Sequence, residues 1–251
     1  METEQEKRRV RDEVWGRLDR LGAVPPPGPY GRIPNFVGAE AAARRLADLP
    51  EWHRARVVKS NPDKAQFAVR MRALAEAKLV YMAVPKLADA QPFYLLDPAI
   101  VGDDSARVAT SAGAAANAPK VGVDQMRPVD LVICGSVAVN RDGVRVGKGA
   151  GYSDIEVALL MEAGLIGPET ILATTVHAAQ VLDRPLPESP HDFRVDLIVT
   201  PDEVIRCGSS RRPGGIYWDA LDAGKIDAIP VLALNPGRPI FLTPVDQRRS
   251  E

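Results

Sequence analysis

The run VDLVICGSVAVN, residues 129–140, is apolar at nearly every position and constrains the fold more than any other stretch. A strand with one face in water alternates apolar and polar residues, whereas a strand covered on both faces stays apolar throughout. Runs of this kind alternate along the chain with helical patterns, which predicts a largely parallel sheet packed between helices. We therefore expect an α/β fold with three layers, α/β/α.

The other elements follow from hydrophobic periodicity and from Gly and Pro stops. Helices are predicted over residues 3–22, 38–49, 63–77 and 154–163, and strands near 54–60, 78–87, 170–177 and 195–205. Residues 102–120 are small and polar, and we interpret them as a surface loop. From residue 207 the chain is rich in Gly, Pro and Arg, which predicts irregular structure. We expect an α/β domain over residues 1–218 and an irregular C-terminal extension over 219–251.

Composition and charge exclude several classes of protein. The chain has 251 residues, of which 45% are hydrophobic, so it can bury a sizeable core. Its formal net charge is -1, which predicts no general attraction to nucleic acid or to an anionic membrane. The two cysteines, Cys134 and Cys207, predict no disulfide framework. The charged N-terminus is unlike a signal peptide, and the sequence contains no apolar run long enough to span a membrane. We therefore expect a cytoplasmic protein without nucleic-acid or membrane partners.

The stretch GVRVGKGAGYSDIE, residues 143–156, places Gly147, Gly149 and Gly151 at alternate positions between a strand and a helix. It matches neither the Rossmann pattern G-x-G-x-x-G nor the P-loop pattern G-x-x-x-x-G-K-[ST]. A glycine loop that leads into a helix presents backbone amides to an anion such as phosphate, and Arg145 and Lys148 add positive charge. A glycine-rich turn without a ligand is the equal alternative.

The first turn after this loop also has two interpretations. Ser153 precedes Glu156 by three residues, which is the capping-box pattern, so Ser153 or Asp154 would simply cap the helix. Alternatively, Asp154 holds a metal ion beside bound phosphates. The residues alone favour capping.

Two longer stretches resemble the 5-formyltetrahydrofolate cyclo-ligase family. They are DLVICGSVAVNRDGVRVGKGAGYSD, residues 130–154, and TTVHAAQVLDRPLPESPHDFRVDLIVTPDEVI, residues 174–205. The shared features are the apolar strand, a G-x-R-x-G-x-G-x-G-Y loop with a following Asp, a Gln–Pro segment and an H-D-x-x-V-D strand entry. The first half, including GRIPNFVGAEAAARRL and VVKSNPDKAQFAVRMRAL, resembles the cyclo-ligase-like subfamily that includes methenyltetrahydrofolate synthetase domain-containing proteins.

The resemblance implies the cyclo-ligase fold and a reaction. In this reaction ATP and Mg²⁺ convert 5-formyltetrahydrofolate to 5,10-methenyltetrahydrofolate through a phosphorylated formyl group. Two alternatives stay open. One is an ATP-using paralogue that acts on another small heterocycle, related to thiamine salvage, and the other is a non-catalytic nucleotide-binding protein. A monomer or a homodimer is expected.

The resemblance also assigns roles to individual residues. The nucleotide is assigned to Lys7, Arg11, Arg145, Gly147, Gly149, Ala150, Gly151 and Ser153. Lys148 and Tyr152 are assigned to catalysis, Asp63 and Tyr152 to the substrate, and Asp154 and Asp192 to magnesium. Without the resemblance, Lys7 and Arg11 at spacing i, i+4 would indicate a solvated helix face, and Asp192 an ordinary loop residue. Arg70, near Asp63, would suit the acidic tail of a folate.

The sequence departs from the family pattern at two places. Most cyclo-ligases read G-Y-Y-D-R after the glycines, whereas this chain reads GYSDIE, with Ser153 for the second Tyr and Ile155 for the Arg. The first half also lacks a clear Glu for the pterin, and SNPDKAQ offers Asp63 instead. ATP binding is therefore expected to carry over better than folate specificity.

Overall fold

The structure is a computed structural model, and it describes residues 2–208 and 211–234. The helices are α1 (Glu2–Arg20), α2 (Ala39–Ala47), α3 (Pro50–Arg54), α4 (Phe67–Ala75), α5 (Pro98–Val101), α6 (Ser105–Val108), α7 (Ser111–Asn117), α8 (Tyr152–Glu162), α9 (Ala223–Asp227) and α10 (Pro230–Ala233). The strands are β1 (Val57–Ser60), β2 (Leu79–Ala83), β3 (Phe93–Leu96), β4 (Lys120–Val121), β5 (Leu131–Cys134), β6 (Ala138–Asn140), β7 (Arg145–Val146), β8 (Ile171–Thr175), β9 (Val181–Leu182), β10 (Leu197–Val199) and β11 (Val204–Arg206).

The main sheet of the described residues has the strand order β11-β10-β8-β5-β1-β2-β3-β4. Its central strands β10, β8, β5, β1 and β2 are parallel to their neighbours in that group, and the antiparallel pairs lie toward the edges. From β1 the chain continues to β2 on one side, and it returns later to place β5 on the other side. A crevice therefore opens at the carboxyl ends of β1 and β5, where open α/β sheets bind ligands.

Alternate residues of β5 pack on opposite faces of the sheet, as the apolar run predicts. Leu131 and Ile133 belong to a core cluster with residues of α2 and α4, and Val132 and Cys134 belong to one with residues of α8. Both faces are thus covered by helices, and the predicted three-layer α/β/α fold with a largely parallel sheet is confirmed.

A smaller sheet in the order β7-β6-β9 carries the strand that leads into the glycine loop. Helix α1 packs against it, because Val10, Val14 and Leu18 share a buried cluster with Val137 and Val146. The apolar stripe of α1 therefore faces this sheet. This packing places the first turns of α1 beside the glycine loop.

Three sequence predictions of local structure are wrong. The run 129–140 is divided between the two sheets, because β5 ends at Cys134 and β6 begins at Ala138. Residues 102–120 contain α6 and α7 rather than a loop; α7 is alanine-rich, and the Thr110 side chain caps it by accepting a hydrogen bond from the Gly113 amide.

The third error concerns the predicted irregular extension. Helices α9 and α10 form within it, and Ile229 and Leu232 are buried in the core cluster on the α8 face of the sheet. Residues 235–251 lie outside the described residues, and the boundary near residue 218 stays a prediction. None of the helices described combines the length and the apolar composition that a bilayer span requires.

Candidate active site

A cavity of about 350 Å³ lies at the carboxyl ends of β1 and β5 and is bounded by the glycine loop. The strand ends contribute Asn61, Asp63 and Gly135 to its wall. Charged residues also come from the first turns of α1, from the segment after β2, from β7 and the glycine loop, from α8 and from the loop before β10. The candidate site therefore forms at the crevice that the strand order creates.

The glycine loop has a backbone that other residues adopt with strain. Gly149 has a φ of +95° and Gly151 a φ of +70°. Gly151 immediately precedes α8, whose N-terminus has no side-chain cap. The capping interpretation of Ser153 and Asp154 is therefore wrong, and the positive end of the α8 dipole faces the cavity with the Asp154 carboxylate in its first turn.

Two cations of α1 are buried against this loop rather than solvated. Lys7 is 6% exposed and Arg11 is 7% exposed. Arg11 Nε donates to the Gly147 carbonyl at 2.8 Å, and its guanidinium would lie 3.1 Å from a Cβ atom placed on Gly149. Lys7 Nζ donates to Asp192 Oδ2 at 2.5 Å. The solvated-face interpretation of α1 at these positions is wrong.

Arg145 is a third buried cation of the site. Its guanidinium carbon lies 4.4 Å from the centre of the Phe193 ring, and its Nη1 lies 3.8 Å from Asp154 Oδ1. Within the described residues its Nε atom is buried without a hydrogen-bond partner. A Cβ atom on Gly147 would approach Nη2 to 3.1 Å, so the loop glycine makes room for the guanidinium.

Asp154 lines the cavity, and among the described residues its carboxylate accepts no hydrogen bond and has a single ion-pair contact, to Arg145. Burial raises the pKa of Asp154, the nearby Asp192 carboxylate raises it further, and Arg145 opposes both effects. Asp192 is already engaged by Lys7 and by the Ser189 amide, at 2.6 Å. In residues 2–208 and 211–234, no group of three or more candidate metal ligands occurs.

These acids fit a magnesium ion that arrives with phosphates. Mg²⁺ typically takes one or two carboxylates and completes its shell with phosphate oxygens and water. Asp154 has free oxygen lone pairs facing the cavity, and Asp192 lies close enough to influence its pKa. A cation at this position would compensate the buried carboxylate.

On the opposite wall, the Asp63 side chain makes no capping hydrogen bond to the turn that follows it. Its Oδ1 lies 3.8 Å from Lys148 Nζ, and its Oδ2 would lie 2.9 Å from a Cβ atom on Gly135. Lys148 is nearly half exposed, so solvent weakens its contact with Asp63. Asp63 therefore has its carboxylate available at the edge of the cavity.

Arg70 does not serve the role that the sequence predicts for it. It is buried and donates to the carbonyls of Asn61 at 2.5 Å, Asp63 at 3.2 Å and Ala109 at 2.8 Å. Burial lowers its pKa to about 10. Arg70 thus holds the loop after β1 in place through these hydrogen bonds, and it does not line the cavity.

Tyr152 and Ala150 contact a residue that sequence reasoning missed. Lys225 Nζ, on α9, lies 3.4 Å from the centre of the Tyr152 ring and donates to the Ala150 carbonyl at 2.6 Å. A second cavity of about 300 Å³ lies between the glycine loop and this C-terminal segment. No motif marks Lys225, because its neighbours AGKID have no distinctive pattern.

A buried ion pair between Lys59 of β1 and Glu156 of α8 was also missed. Lys59 further donates to Asn61 Oδ1 at 3.0 Å, and Asn61 Nδ2 donates to Ser153 Oγ at 2.7 Å. The available signal was a lysine inside the apolar strand VVKS and a glutamate inside the apolar helix DIEVALLMEA, since buried charges require partners.

Comparison with known proteins places the chain in a family. Residues 3–201 match the family model of the 5-formyltetrahydrofolate cyclo-ligase family. The chain belongs to this family. The resemblance that the motifs indicate is thereby confirmed.

Two relatives share substantial identity with this chain. The methenyltetrahydrofolate synthase domain-containing protein of Homo sapiens is 37% identical over 232 residues, which cover 90% of this chain and 60% of the relative. The protein of the same name from Mus musculus is 38% identical over 240 residues, which cover 92% of this chain and 64% of the relative. The chain thus spans somewhat more than half the length of these relatives.

A solved cyclo-ligase structure supports the fold. The NMR structure of the Aquifex aeolicus 5,10-methenyltetrahydrofolate synthetase matches with a TM-score of 0.52 at 21% identity, over 84% of this chain and 95% of that chain. At this identity the match supports the architecture alone.

Proposed function

We propose that this protein catalyses the ATP- and magnesium-dependent conversion of 5-formyltetrahydrofolate to 5,10-methenyltetrahydrofolate. The observation that carries the proposal is the convergence of Lys7, Arg11 and Arg145 on the glycine loop, with the carboxylates of Asp154 and Asp192 beside them. Buried cations, loop amides and a helix N-terminus suit a polyphosphate, and the acids suit its metal ion. Family membership supports the choice of reaction.

The reaction needs positioning more than it needs a protein nucleophile. The formyl oxygen attacks the γ-phosphorus of ATP, so that a new O–P bond forms and ADP departs. The second folate nitrogen then attacks the activated carbon and loses its proton, and the C–O bond breaks to release phosphate. Charge neutralisation and in-line alignment supply the catalysis of such transfers.

We assign some residues of the site to the nucleotide and its metal ion, and others to the heterocyclic substrate. Arg11, Arg145 and Lys7 neutralise phosphate oxygens, and Gly147, Gly149 and Gly151 allow the phosphates to approach the backbone. Magnesium, held by Asp154 with support from Asp192, would neutralise charge on the phosphates. Lys148, which is nearly half exposed in the glycine loop, reaches the transferred phosphoryl group, and Asp63 and Tyr152 hold the heterocycle.

A paralogue with another small heterocyclic substrate is the second candidate. The observation that favours it is the wall formed by Asn61 and Ser153, which differs from the G-Y-Y-D-R pattern of most cyclo-ligases. The relatives named for a methenyltetrahydrofolate synthase domain are longer than this chain, which covers 60% of the human protein. Their names therefore do not decide between the cyclo-ligase and the paralogue.

ADP release in the presence of MgATP separates the candidates. We expect 5-formyltetrahydrofolate to stimulate ADP release above the rate without it. Stimulation by thiamine-related heterocycles, with none by 5-formyltetrahydrofolate, would favour the paralogue. Absence of ATP binding would exclude both.

A further inference from the structure

A chain of hydrogen bonds leads from the buried ion pair to the first turn of α8. Lys59 Nζ contacts Glu156 and donates to Asn61 Oδ1 at 3.0 Å, and Asn61 Nδ2 donates to Ser153 Oγ at 2.7 Å. Lys59, Asn61 and Glu156 are buried, whereas Ser153 is half-buried and lines the cavity. This series of hydrogen bonds therefore runs from the core to the surface of the site.

The direction of every bond in this chain is fixed by the lysine. An ammonium group can donate but not accept, so the Asn61 atom that faces Lys59 must be the carbonyl oxygen. The Asn61 amide nitrogen consequently faces Ser153, and this nitrogen can only donate. Ser153 Oγ accepts that bond, which leaves its own proton to be donated elsewhere.

Among the described residues, no acceptor is hydrogen-bonded to the Ser153 proton. The cavity is where a partner can approach, because Ser153 lies between the glycine loop and the end of β1. Glu156 balances the charge of Lys59. The hydrogen-bond series therefore orients the Ser153 hydroxyl as a donor without adding net charge to the site.

We propose that Ser153 donates its hydroxyl to an oxygen acceptor of the bound small molecule, and that Lys59 and Asn61 are positioning residues that hold it in donor mode. This inference rests on the proposed function. It goes beyond that function by assigning Ser153 the role of hydrogen-bond donor toward the ligand. Ser153 replaces the second Tyr of the G-Y-Y-D-R pattern. The acceptor is a phosphoryl oxygen of the nucleotide or an acyl oxygen of the second substrate.

The substitution Asn61→Asp tests the polarity directly. Aspartate has nearly the same shape and still accepts from Lys59, but its second oxygen also accepts. The Ser153 hydroxyl would then donate to the introduced carboxylate and present lone pairs to the cavity. The test compares Asn61→Asp, Ser153→Ala and the double variant, with Ser153→Thr as the conservative rescue.

Calorimetry on the full chain measures two affinities separately, for MgATP and for 5-formyltetrahydrofolate without ATP. We expect Ser153→Ala and Asn61→Asp each to weaken one of them about tenfold or more, the usual effect of losing a buried hydrogen bond. The affected ligand identifies the acceptor as phosphoryl or acyl oxygen. Ser153→Thr should retain wild-type affinity. Ser136→Ala, which removes a buried hydroxyl bonded to Thr174 outside the cavity, is the matched control and should also bind as wild type does.

The double variant Ser153→Ala/Asn61→Asp separates an effect of the hydrogen-bond direction at Ser153 from an effect of the new negative charge at residue 61. If Asn61 acts through Ser153, adding Asn61→Asp to Ser153→Ala should change the affinity no further. An equal further loss in that background would show that the new charge, not the serine, causes the effect, and would overturn the proposal. Unchanged affinity for both ligands in Ser153→Ala would also overturn it, as would a wild-type protein that binds neither. Binding without turnover in the wild type would instead refute the proposed function alone.

Discussion

Lys7 Nζ lies 2.5 Å from Asp192 Oδ2, although 185 residues separate the two along the chain. Both side chains are buried, and Asp192 also accepts a hydrogen bond from the Ser189 amide. This ion pair ties the first helix to the loop before β10 at the mouth of the candidate site. Lys7 lines the cavity in which we propose that the phosphates bind, and Asp192 anchors its ammonium there.

Lys7→Met should destabilise the protein and weaken MgATP binding about tenfold or more, because it removes a charged donor and leaves Asp192 buried without its partner. Calorimetry and thermal unfolding measure the two effects. The double variant Lys7→Met/Asp192→Asn should recover stability, since the uncompensated carboxylate is gone, but it should not recover ATP binding. Recovery of binding in the double variant would contradict a direct role for Lys7.

Asp154→Asn should lower turnover about a hundredfold, because the carboxylate would be a ligand of the metal ion that neutralises the phosphates. The unfolding temperature should not fall, because burial raises the pKa of Asp154 despite its ion pair with Arg145, so the ionised carboxylate does not stabilise the folded state. Turnover assays at increasing magnesium concentration provide the measurement. Full activity in this variant, or wild-type activity in excess chelator, would remove the metal role.

Gly149→Val should abolish MgATP binding. A Cβ atom at this position would meet the Arg11 guanidinium at 3.1 Å, and the positive φ already disfavours any side chain. Gly164→Val is the matched control, because Gly164 has a φ of +65° and open space around it, outside the cavity. Calorimetry should show binding retained in the control, and equal losses in both variants would trace the effect to backbone strain instead.

Asp63→Asn should raise the Michaelis constant for 5-formyltetrahydrofolate about tenfold, because a hydrogen-bonded carboxylate partner of the heterocycle is lost. The Michaelis constant for ATP should change less, because Asp63 meets the glycine loop at the Lys148 ammonium, 3.8 Å away, where solvent weakens the ion pair. The side chain makes no capping bond in the structure, so stability should also be retained. A loss of stability with normal kinetics would assign Asp63 to the turn alone.

His177 should make the free energy of unfolding pH-dependent. Its Nδ1 accepts from the Ala179 amide at 3.0 Å, and burial lowers its pKa below the ordinary value of 6.5, although Asp202 opposes this shift. Because the folded state favours the neutral ring, this contribution is present above pH 6.5 and is lost as the pH falls through the folded pKa. Denaturation between about pH 7 and pH 5 should show a shallower slope for His177→Asn, which keeps an acceptor without the titration.

The layered fold was predictable because it depends on hydrophobic patterns that are local in the sequence. The apolar runs predicted the central strands, and the stop at Gly164 predicted the end of α8 nearly to the residue. Residues 102–120 were misinterpreted because helices of four and seven residues are too short to show a helical periodicity in the sequence.

The site was predictable only where a family motif names its residues. The motif identified Lys7, Arg11 and Asp192, and the structure brings them together with the glycine loop. The Lys225–Ala150 and Asn61–Ser153 hydrogen bonds could not be inferred, since they join residues that are 75 and 92 positions apart with no motif between them. Long-range pairing of this kind depends on the tertiary fold.

The formation of 5,10-methenyltetrahydrofolate, followed by its ultraviolet absorbance, tests the central claim most directly. The purified full chain is mixed with 5-formyltetrahydrofolate and MgATP, and ADP is measured in parallel. The account predicts an increase in product absorbance that requires both ATP and magnesium, matches ADP one to one, and is lost in Gly149→Val but retained in Gly164→Val. No absorbance change from a protein that binds MgATP would contradict it.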